Sequence, residues 1–198
     1  EAFLAESKWR GIRFIKGLLD ESPAISLHLD EFDGDFYSDD VTGPPIEDSI
    51  PDYSILDDIE YDYSVKDAYF AYASRGCIRK CKFCGVPKLE GGQRQTPSLL
   101  PLIDGIKSRY GEKKDLILMD NNVVAAPNFR EIIAEIRDLG FERGAVLHRN
   151  GRSIGRRVDF NQGVDARILC KSPEFLKQMS TIAIKPLRIA FDHIGVLK

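Results

Sequence analysis

Apolar and polar positions follow different patterns in the two parts of the chain. Within residues 1–22 apolar residues recur at helical spacing, which predicts an amphipathic helix. Residues 23–66 contain four prolines and many aspartates, so we predict an extended acidic segment there. The aromatic residues of this segment indicate that it packs on another surface. From Asp67 onward the pattern becomes regular, and we divide the chain into residues 1–66 and 67–198.

Short apolar runs alternate with helical patterns in residues 67–198. We predict strands at 68–73, 115–119, 158–160 (in preference to 145–147) and 187–191. We predict helices at 96–110, opened by Thr96 and Pro97 and ended by Gly111; at 129–139, capped by Asn128 and ended by Gly140; and at 173–179. Repeated strand–helix units predict an α/β fold with a parallel sheet.

Three of the four cysteines lie close together, in the loop after the first predicted strand. Cys77, Cys81 and Cys84 have the spacing CxxxCxxC. Three thiolates at this spacing can converge on one metal or cluster, whereas a structural zinc site is normally closed by four protein ligands. Cys170 stands alone, and we expect a small buried residue there. The chain has few cysteines, and three of them have ligand spacing. This favours a cytoplasmic protein over a secreted disulfide scaffold.

Polar residues follow two of the predicted strands directly. Asp120, Asn121 and Asn122 come after the second strand, and the stretch from Gln162 to Arg167 comes after the third. Ligands of parallel α/β folds bind at the carboxyl ends of the strands, so we expect these residues near the cysteines. The alternatives are a strand-end turn or helix cap at 120–122 and a structural ion pair at Arg167.

The cysteine pattern, with the aromatic Phe83 before the third cysteine and a strand before the first, resembles the signature of the radical S-adenosylmethionine superfamily. The resemblance covers residues 67–198. It implies a partial (β/α) barrel, with about four βα units present here, preceded by a helix and an acidic extended segment. It also implies a 4Fe–4S cluster on the three cysteines. The open iron would bind S-adenosylmethionine, whose reductive cleavage gives a 5′-deoxyadenosyl radical; the substrate is unknown.

The resemblance also implies residues that contact S-adenosylmethionine. Phe83 would lie beside the adenine, residues 120–122 near the methionine amino group, and Arg167 against its carboxylate. Backbone groups of Gly85 and Val86 are candidate adenine partners. The full set of implied cofactor-binding residues is Phe83, Gly85, Asp120, Asn121, Asn122, Gln162 and Arg167.

The segment before the first strand adds a weaker similarity. Residues 50–56 are similar to the linker that precedes the barrel in cobalamin-dependent radical enzymes. No cobalamin domain fits in residues 1–66, and no DxHxxG pattern occurs there, so cobalamin is expected only in a longer parent protein. Radical enzymes of this type usually have six strand–helix units. We therefore expect a fragment whose C-terminal half is missing, a chain whose barrel a partner chain completes, or a degenerate half-barrel.

Charge is distributed unevenly along the chain, whose net charge is −3. Residues 1–66 contain 17 acidic and 5 basic residues, whereas residues 67–198 contain 14 and 23. Either the basic part attracts an anionic partner or the acidic segment packs over it. The resemblance implies an electron donor of flavodoxin or ferredoxin type, which the basic residues Arg79, Lys80 and Lys82 could meet. Four arginines in residues 148–157 suggest either a phosphate or nucleic-acid contact or a solvated loop.

Two other classes of function remain open at this point. The cysteines could form a non-catalytic zinc or iron–sulfur module, with Cys170 as a fourth ligand. Alternatively, the chain could be a scaffold subunit that a partner chain completes. No apolar run of membrane-spanning length occurs, so no membrane association is expected.

Overall fold

The computed structural model describes residues 49–190 of the 198-residue chain. The predicted helix over residues 1–22, most of the acidic segment and the last residue of the predicted fourth strand therefore lie outside the described residues. The described part belongs to a compact unit that spans Asp48–Lys198. Helices and strands both occur in it, which confirms the predicted α/β class.

Nine strands and five α-helices occur between residues 49 and 190. The strands are β1 (Ala68–Ala71), β2 (Ser74–Arg75), β3 (Arg94–Gln95), β4 (Asp115–Leu118), β5 (Val146–Arg149), β6 (Arg152–Gly155), β7 (Arg157–Phe160), β8 (Val164–Asp165) and β9 (Ile189–Ala190). The helices are α1 (Val86–Leu89), α2 (Leu99–Tyr110), α3 (Phe129–Ile136), α4 (Ala166–Lys171) and α5 (Pro173–Met179). None of these helices is long and apolar enough to cross a membrane.

A three-stranded parallel sheet in the order β1–β4–β7 forms the centre of the described unit. Its register pairs Tyr69 with Leu116 and Leu116 with Val158. All four residues of the central strand β4 are buried, Asp115 together with three apolar residues, as expected for the central strand of a parallel sheet. Because the strands are parallel, their carboxyl ends lie at one edge. Within residues 49–190 the sheet is open and forms no closed barrel.

The core joins the sheet to α2 and α3. Ile103 and Ile106 of α2, and Ile132, Ile133 and Ile136 of α3, are buried at helical spacing in the same hydrophobic cluster as the sheet residues. Each fully buried side chain of this size stabilises the fold by roughly 1.5–3 kcal/mol relative to an exposed one. The core therefore fixes the two strand–helix connections that lead to the carboxyl edge.

Helix α2 begins later than predicted. Ser98, not Thr96, is its capping residue, and the Leu100 N–H donates to Ser98 Oγ at 3.2 Å. The Thr96 hydroxyl instead donates to the Tyr72 carbonyl at 3.1 Å, which ties the segment after β3 to the end of β1. The predicted end is confirmed, since Gly111 follows the helix with φ of 77°.

Helix α3 begins at Phe129, as predicted, but its α-helical part ends earlier than the predicted residue 139. Asn128 occupies the capping position, yet its side chain makes no capping hydrogen bond. The α-helix stops at Ile136 and continues as a π-turn over Arg137–Phe141, in which Gly140 has φ of 79°. Gly140 therefore ends the helical segment, as predicted, because a left-handed conformation suits glycine.

The arginine-rich segment 148–157 forms a β-hairpin rather than the loop considered from sequence. Strands β5 and β6 pair antiparallel around Asn150 and Gly151, whose φ angles are 52° and 71°. Two positive φ angles are the requirement of the two-residue turns that suit hairpins. Three arginines in or after the hairpin pair with carboxylates. These pairs are Arg149 with Asp67 at 2.8 Å, Arg156 with Glu112 at 2.7 Å and Arg157 with Asp115 at 2.8 Å.

The third strand is confirmed at β7, but the fourth differs from the prediction. Strand β9 begins at Ile189, two residues later than predicted, and pairs in parallel with β8, outside the three-stranded sheet. The edge of β7 is occupied instead by residues 183–185, where the Val158 N–H donates to the Ala183 carbonyl and the Lys185 N–H donates to the Val158 carbonyl, each at 2.8 Å. Pro186 follows at once, and its lack of an N–H ends this pairing.

The end of the acidic segment packs against β1. Tyr53 is buried, its hydroxyl oxygen accepts the Phe70 N–H at 2.8 Å, and its ring lies 5.4 Å from that of Tyr110. The expectation that this segment packs through its aromatic residues is therefore confirmed for Tyr53. Tyr61 and Tyr63 contact each other at 4.8 Å and are exposed.

Candidate cofactor site

The three clustered cysteines lie in residues 76–93, a segment between β2 and β3 that we term the cysteine loop. The antiparallel pair β2–β3 closes the loop at its base. Gly76 has φ of 74°, and a Cβ there would lie 2.1 Å from the Gly92 carbonyl oxygen. Only glycine fits this close approach of two backbone segments. The Gly76 N–H donates to Glu90 Oε2 at 2.8 Å, so the loop closes on itself just before the first cysteine.

All three cysteines are partly buried and line one cavity of about 320 Å³. The Arg79 N–H donates to Cys77 Sγ at 3.3 Å, and the Cys84 N–H donates to the Cys81 carbonyl at 3.1 Å. Across residues 49–190, no three His, Cys, Asp or Glu side chains are already arranged at metal-binding geometry. The cysteines therefore share a cavity without forming a finished coordination group.

The opposite wall of the cavity comes from the carboxyl ends of β4, β7 and β8. Asn121 and Asn122 follow β4, and Gln162 and Arg167 flank β8. The cysteines are thereby brought together with residues that lie 37 (Cys84 to Asn121) to 90 (Cys77 to Arg167) positions away along the chain. Of the predicted cofactor-binding residues, Gly85 and Asp120 do not line the cavity.

Asn122 supplies an unsatisfied acceptor in the cavity wall. Its side chain is 4% exposed, and its Nδ2 donates to Cys77 Sγ at 3.6 Å. Its Oδ1 is buried and has no hydrogen-bond partner. A buried polar atom without a partner is costly, and a ligand that donates to Oδ1 would remove that cost. An ammonium group fits this acceptor.

Asp120 lies behind the cavity and holds the start of the cysteine loop. It is 3% exposed; Oδ2 accepts the Ala73 N–H at 3.0 Å, and Oδ1 accepts the Ser74 hydroxyl at 2.6 Å. Burial raises the pKa of Asp120 to about 6, against the opposing effect of these hydrogen bonds. Both carboxylate oxygens accept hydrogen bonds from the segment that connects β1 to β2. Asp120 therefore has a structural role at the end of a strand, which was the alternative to cofactor binding.

Asp165 joins two arginines at the cavity wall. It caps α4 by accepting the Arg167 N–H at 3.0 Å, and the Arg167 side chain donates to both of its oxygens. Arg79, from the cysteine loop, donates through Nε to Asp165 Oδ2 at 2.8 Å. Burial acts to raise the pKa of Asp165, but the hydrogen bonds from Arg167 and Arg79 outweigh it and hold that pKa below its usual value. Arg167 thus lies at the predicted place, in an ion pair.

Glu90 is a site residue that the sequence analysis missed. Its Oε2 accepts the Gly76 N–H and also the Asn121 Nδ2–H at 3.1 Å, so it links the loop to the end of β4. Arg75 lies 3.6 Å from its other oxygen. A signal was present in the sequence, because Glu90 is the only acidic residue between Arg75 and Arg94.

The remaining predicted residues form the apolar side of the loop. Phe83 lines the cavity and is 76% exposed, and Val86 lies beside it at the start of α1. Gly85 precedes α1, and its carbonyl accepts the Lys88 and Leu89 N–H groups at 3.0 Å. The Gly85 carbonyl is therefore already used by the helix.

Cys170 is exposed, contrary to the expectation of a buried residue. The reason is its place on α4: the neighbouring Leu169 is the buried residue of that helix, so the next position faces outward. Cys170 does not line the cavity of the three clustered cysteines.

Comparison with known proteins gave no match. No family model, no curated protein and no solved structure matches this chain. The assignment of the site therefore depends on its own residues and geometry.

Proposed function

We propose that the chain is a radical S-adenosylmethionine enzyme, or the N-terminal half of one, that acts on an unidentified substrate. The observation that carries this proposal is the cavity of about 320 Å³ between the cysteine loop and the carboxyl ends of β4, β7 and β8. Its volume lies in the range of small-molecule sites, and its walls combine thiols, amides, a guanidinium and an aromatic ring.

The donor set fits an iron–sulfur cluster with one open position. Cys77, Cys81 and Cys84 would hold three irons of a 4Fe–4S cluster, since thiolates are the usual ligands of such clusters. When bound, the cluster and S-adenosylmethionine would supply reductive carbon–sulfur cleavage and a 5′-deoxyadenosyl radical. The unsatisfied Oδ1 of Asn122, beside Cys77, supports a ligand that carries an ammonium group.

The other wall residues bind and orient in this proposal. Asn122 accepts from the methionine ammonium group, and the guanidinium of Arg167 binds the carboxylate. Asp165 holds Arg167 in place before a ligand arrives, which reduces the entropy lost on binding. Phe83 and Val86 provide an apolar surface for the adenine ring.

The sheet supports an incomplete barrel as the fold of this enzyme. Three parallel strands in chain order, each preceding a helix or turn at the same edge, are the start of a (β/α) arrangement. Further strands would come from a C-terminal continuation or a partner chain. Lys80 and Lys82 are exposed on the cysteine loop and would meet an acidic electron donor of flavodoxin or ferredoxin type.

The decisive experiment is anaerobic cluster reconstitution followed by electron paramagnetic resonance of the reduced protein, with and without S-adenosylmethionine. We expect a reduced 4Fe–4S signal that changes when S-adenosylmethionine is added. A cluster whose signal does not respond would contradict cofactor binding by this chain. Bound zinc without any cluster would favour the alternative of a non-catalytic metal module.

Cysteine variants test the ligand assignment. We expect Cys77→Ala, Cys81→Ala and Cys84→Ala each to lose the cluster, because each removes one of three ligands. Cys170→Ala is the matched control and should keep full iron and sulfide content, since Cys170 lies outside the cavity. Full iron content in any of the first three variants would refute the assignment.

A further inference from the structure

Arg79 makes a long-range bond from within the cysteine pattern itself. It lies between the first and second cysteines, and its Nε donates to Asp165 Oδ2 at 2.8 Å across 86 residues of sequence. Its backbone N–H donates to Cys77 Sγ. The Arg79 side chain is 33% exposed, whereas that of Asp165 is 6% exposed. A guanidinium bound to a buried carboxylate makes a short, charge-assisted hydrogen bond.

Asp165 is a firm anchor for this bond. Its Oδ1 accepts both the backbone N–H and the Nε–H of Arg167, so the carboxylate is fixed to the first turn of α4. Removal of Arg79 would leave this cap intact. The bond from Arg79 is therefore not needed to cap α4. Its loss is expected to change the position of the cysteine loop instead.

Other contacts hold the loop at its start, at Cys77 Sγ, to which Asn122 Nδ2 donates, and near its end, where Asn121 Nδ2 donates to Glu90. Asp120 and Glu90 bind backbone or hydroxyl groups of residues 73–76, before the first cysteine. Arg79, by contrast, binds after Cys77 and reaches the wall formed by α4. Both Arg79 and Asp165 line the cavity.

We infer that Arg79 is a positioning residue, which sets the distance between the cysteine loop and α4 through its bond to Asp165. The role of this bond in cluster retention rests on the proposed function. The positioning itself is a property of the metal-free protein. Lys80 is the natural control, because it is the next residue, is exposed and has the same charge.

The first test is hydrogen exchange of the metal-free protein. We expect Arg79→Ala to raise the exchange rates of amides in residues 77–84 about tenfold, the order of effect of losing a hydrogen bond to a charged group. Arg79→Lys should restore part of the protection, since a lysine can donate one bond to Asp165. Lys80→Ala should exchange like the wild type. Unchanged exchange in Arg79→Ala would overturn the inference.

The second test uses reconstituted protein and measures iron loss to a chelator. We expect Arg79→Ala to lose iron about tenfold faster than wild type and Lys80→Ala, with Arg79→Lys between them. The two tests separate the claims. Faster exchange in Arg79→Ala while the wild type assembles no cluster would support positioning and refute the proposed function. If the wild type binds a cluster and Arg79→Ala exchanges its amides at the wild-type rate, the positioning role is refuted and the proposed function is not.

Discussion

The substitution Asp120→Asn removes a carboxylate that is buried behind the cysteine loop. Asn has nearly the same shape, so Oδ1 can still accept the Ala73 N–H and Nδ2 can donate to Ser74 Oγ. Ser74 Oγ already accepts from Gln93 Nε2 at 2.9 Å and has a second lone pair for this bond. The change therefore removes the titrating group and keeps the Ala73 bond, while the Ser74 hydroxyl changes from donor to acceptor.

The expected effect follows from the two pKa values. The pKa of Asp120 is about 6 in the folded protein against an ordinary value of 3.8. This difference corresponds to about 3 kcal/mol, since each pKa unit is worth about 1.4 kcal/mol. Between these values the folded state holds the proton and the unfolded state does not, so rising pH favours unfolding. The stability from protonated Asp120 is complete below pH 3.8 and is lost as pH rises through about 6.

Urea unfolding of the metal-free protein at pH 4, 5, 6 and 7 measures this dependence. The free energy of unfolding of the wild type, minus that of Asp120→Asn, should fall by about 2 kcal/mol from pH 4 to pH 7. The subtraction removes the titration of all other groups that both proteins share. A difference that stays constant would mean that Asp120 is solvated in the folded state. A difference that rises with pH would mean that its hydrogen bonds outweigh burial, and either result would refute the reasoning.

Two further pairs of substitutions test the local geometry. Gly76→Ala should reduce stability by about 3 kcal/mol or more, because it combines positive φ with a Cβ 2.1 Å from the Gly92 oxygen. Gly91→Ala, with similar φ but open space, should lose only about 1 kcal/mol in the same urea titration; equal losses would contradict the steric argument. Ser98→Ala should lower stability by about 1 kcal/mol through loss of the α2 cap. If Thr96→Ala had the larger effect, the helix would begin where the sequence pattern placed it.

Local patterns were sufficient to predict most elements of the sheet and its helices. The apolar run at β4 and the glycine after α2 depend on neighbouring residues alone, and both predictions are confirmed. The predicted start of α2 was wrong because two candidate capping residues lie two positions apart. The choice between Thr96 and Ser98 depends on Tyr72, whose carbonyl takes the threonine hydroxyl. Tertiary contacts of this kind leave no local signal.

The residues of the site also form two groups: those that could be located from the sequence and those whose roles depend on tertiary contacts. Asn122 and Arg167 could be located from sequence because parallel strands place their carboxyl ends together, and both line the cavity with the cysteines. The roles of Asp120 and Glu90 could not, since they depend on which backbone donors face each carboxylate in the fold. Arg79 had a basic-surface interpretation from sequence, whereas its Nε binds a carboxylate 86 residues away.

Three carboxylates that are not proposed as ligands hold the cysteine loop from different sides. Asp120 accepts a hydrogen bond from Ser74, just before the loop, and Glu90 accepts the Gly76 N–H at the start of the loop. Asp165 accepts a hydrogen bond from Arg79, within the loop. Each bond is between protein groups, so the loop has its shape before any cluster is loaded. Loss of the ligand Cys84 should then remove the cluster and leave the loop protected from exchange. Loss of a tether should instead loosen the loop and let a cluster assemble and escape. The two kinds of residue are therefore separable by measuring loop exchange and iron content on the same variants.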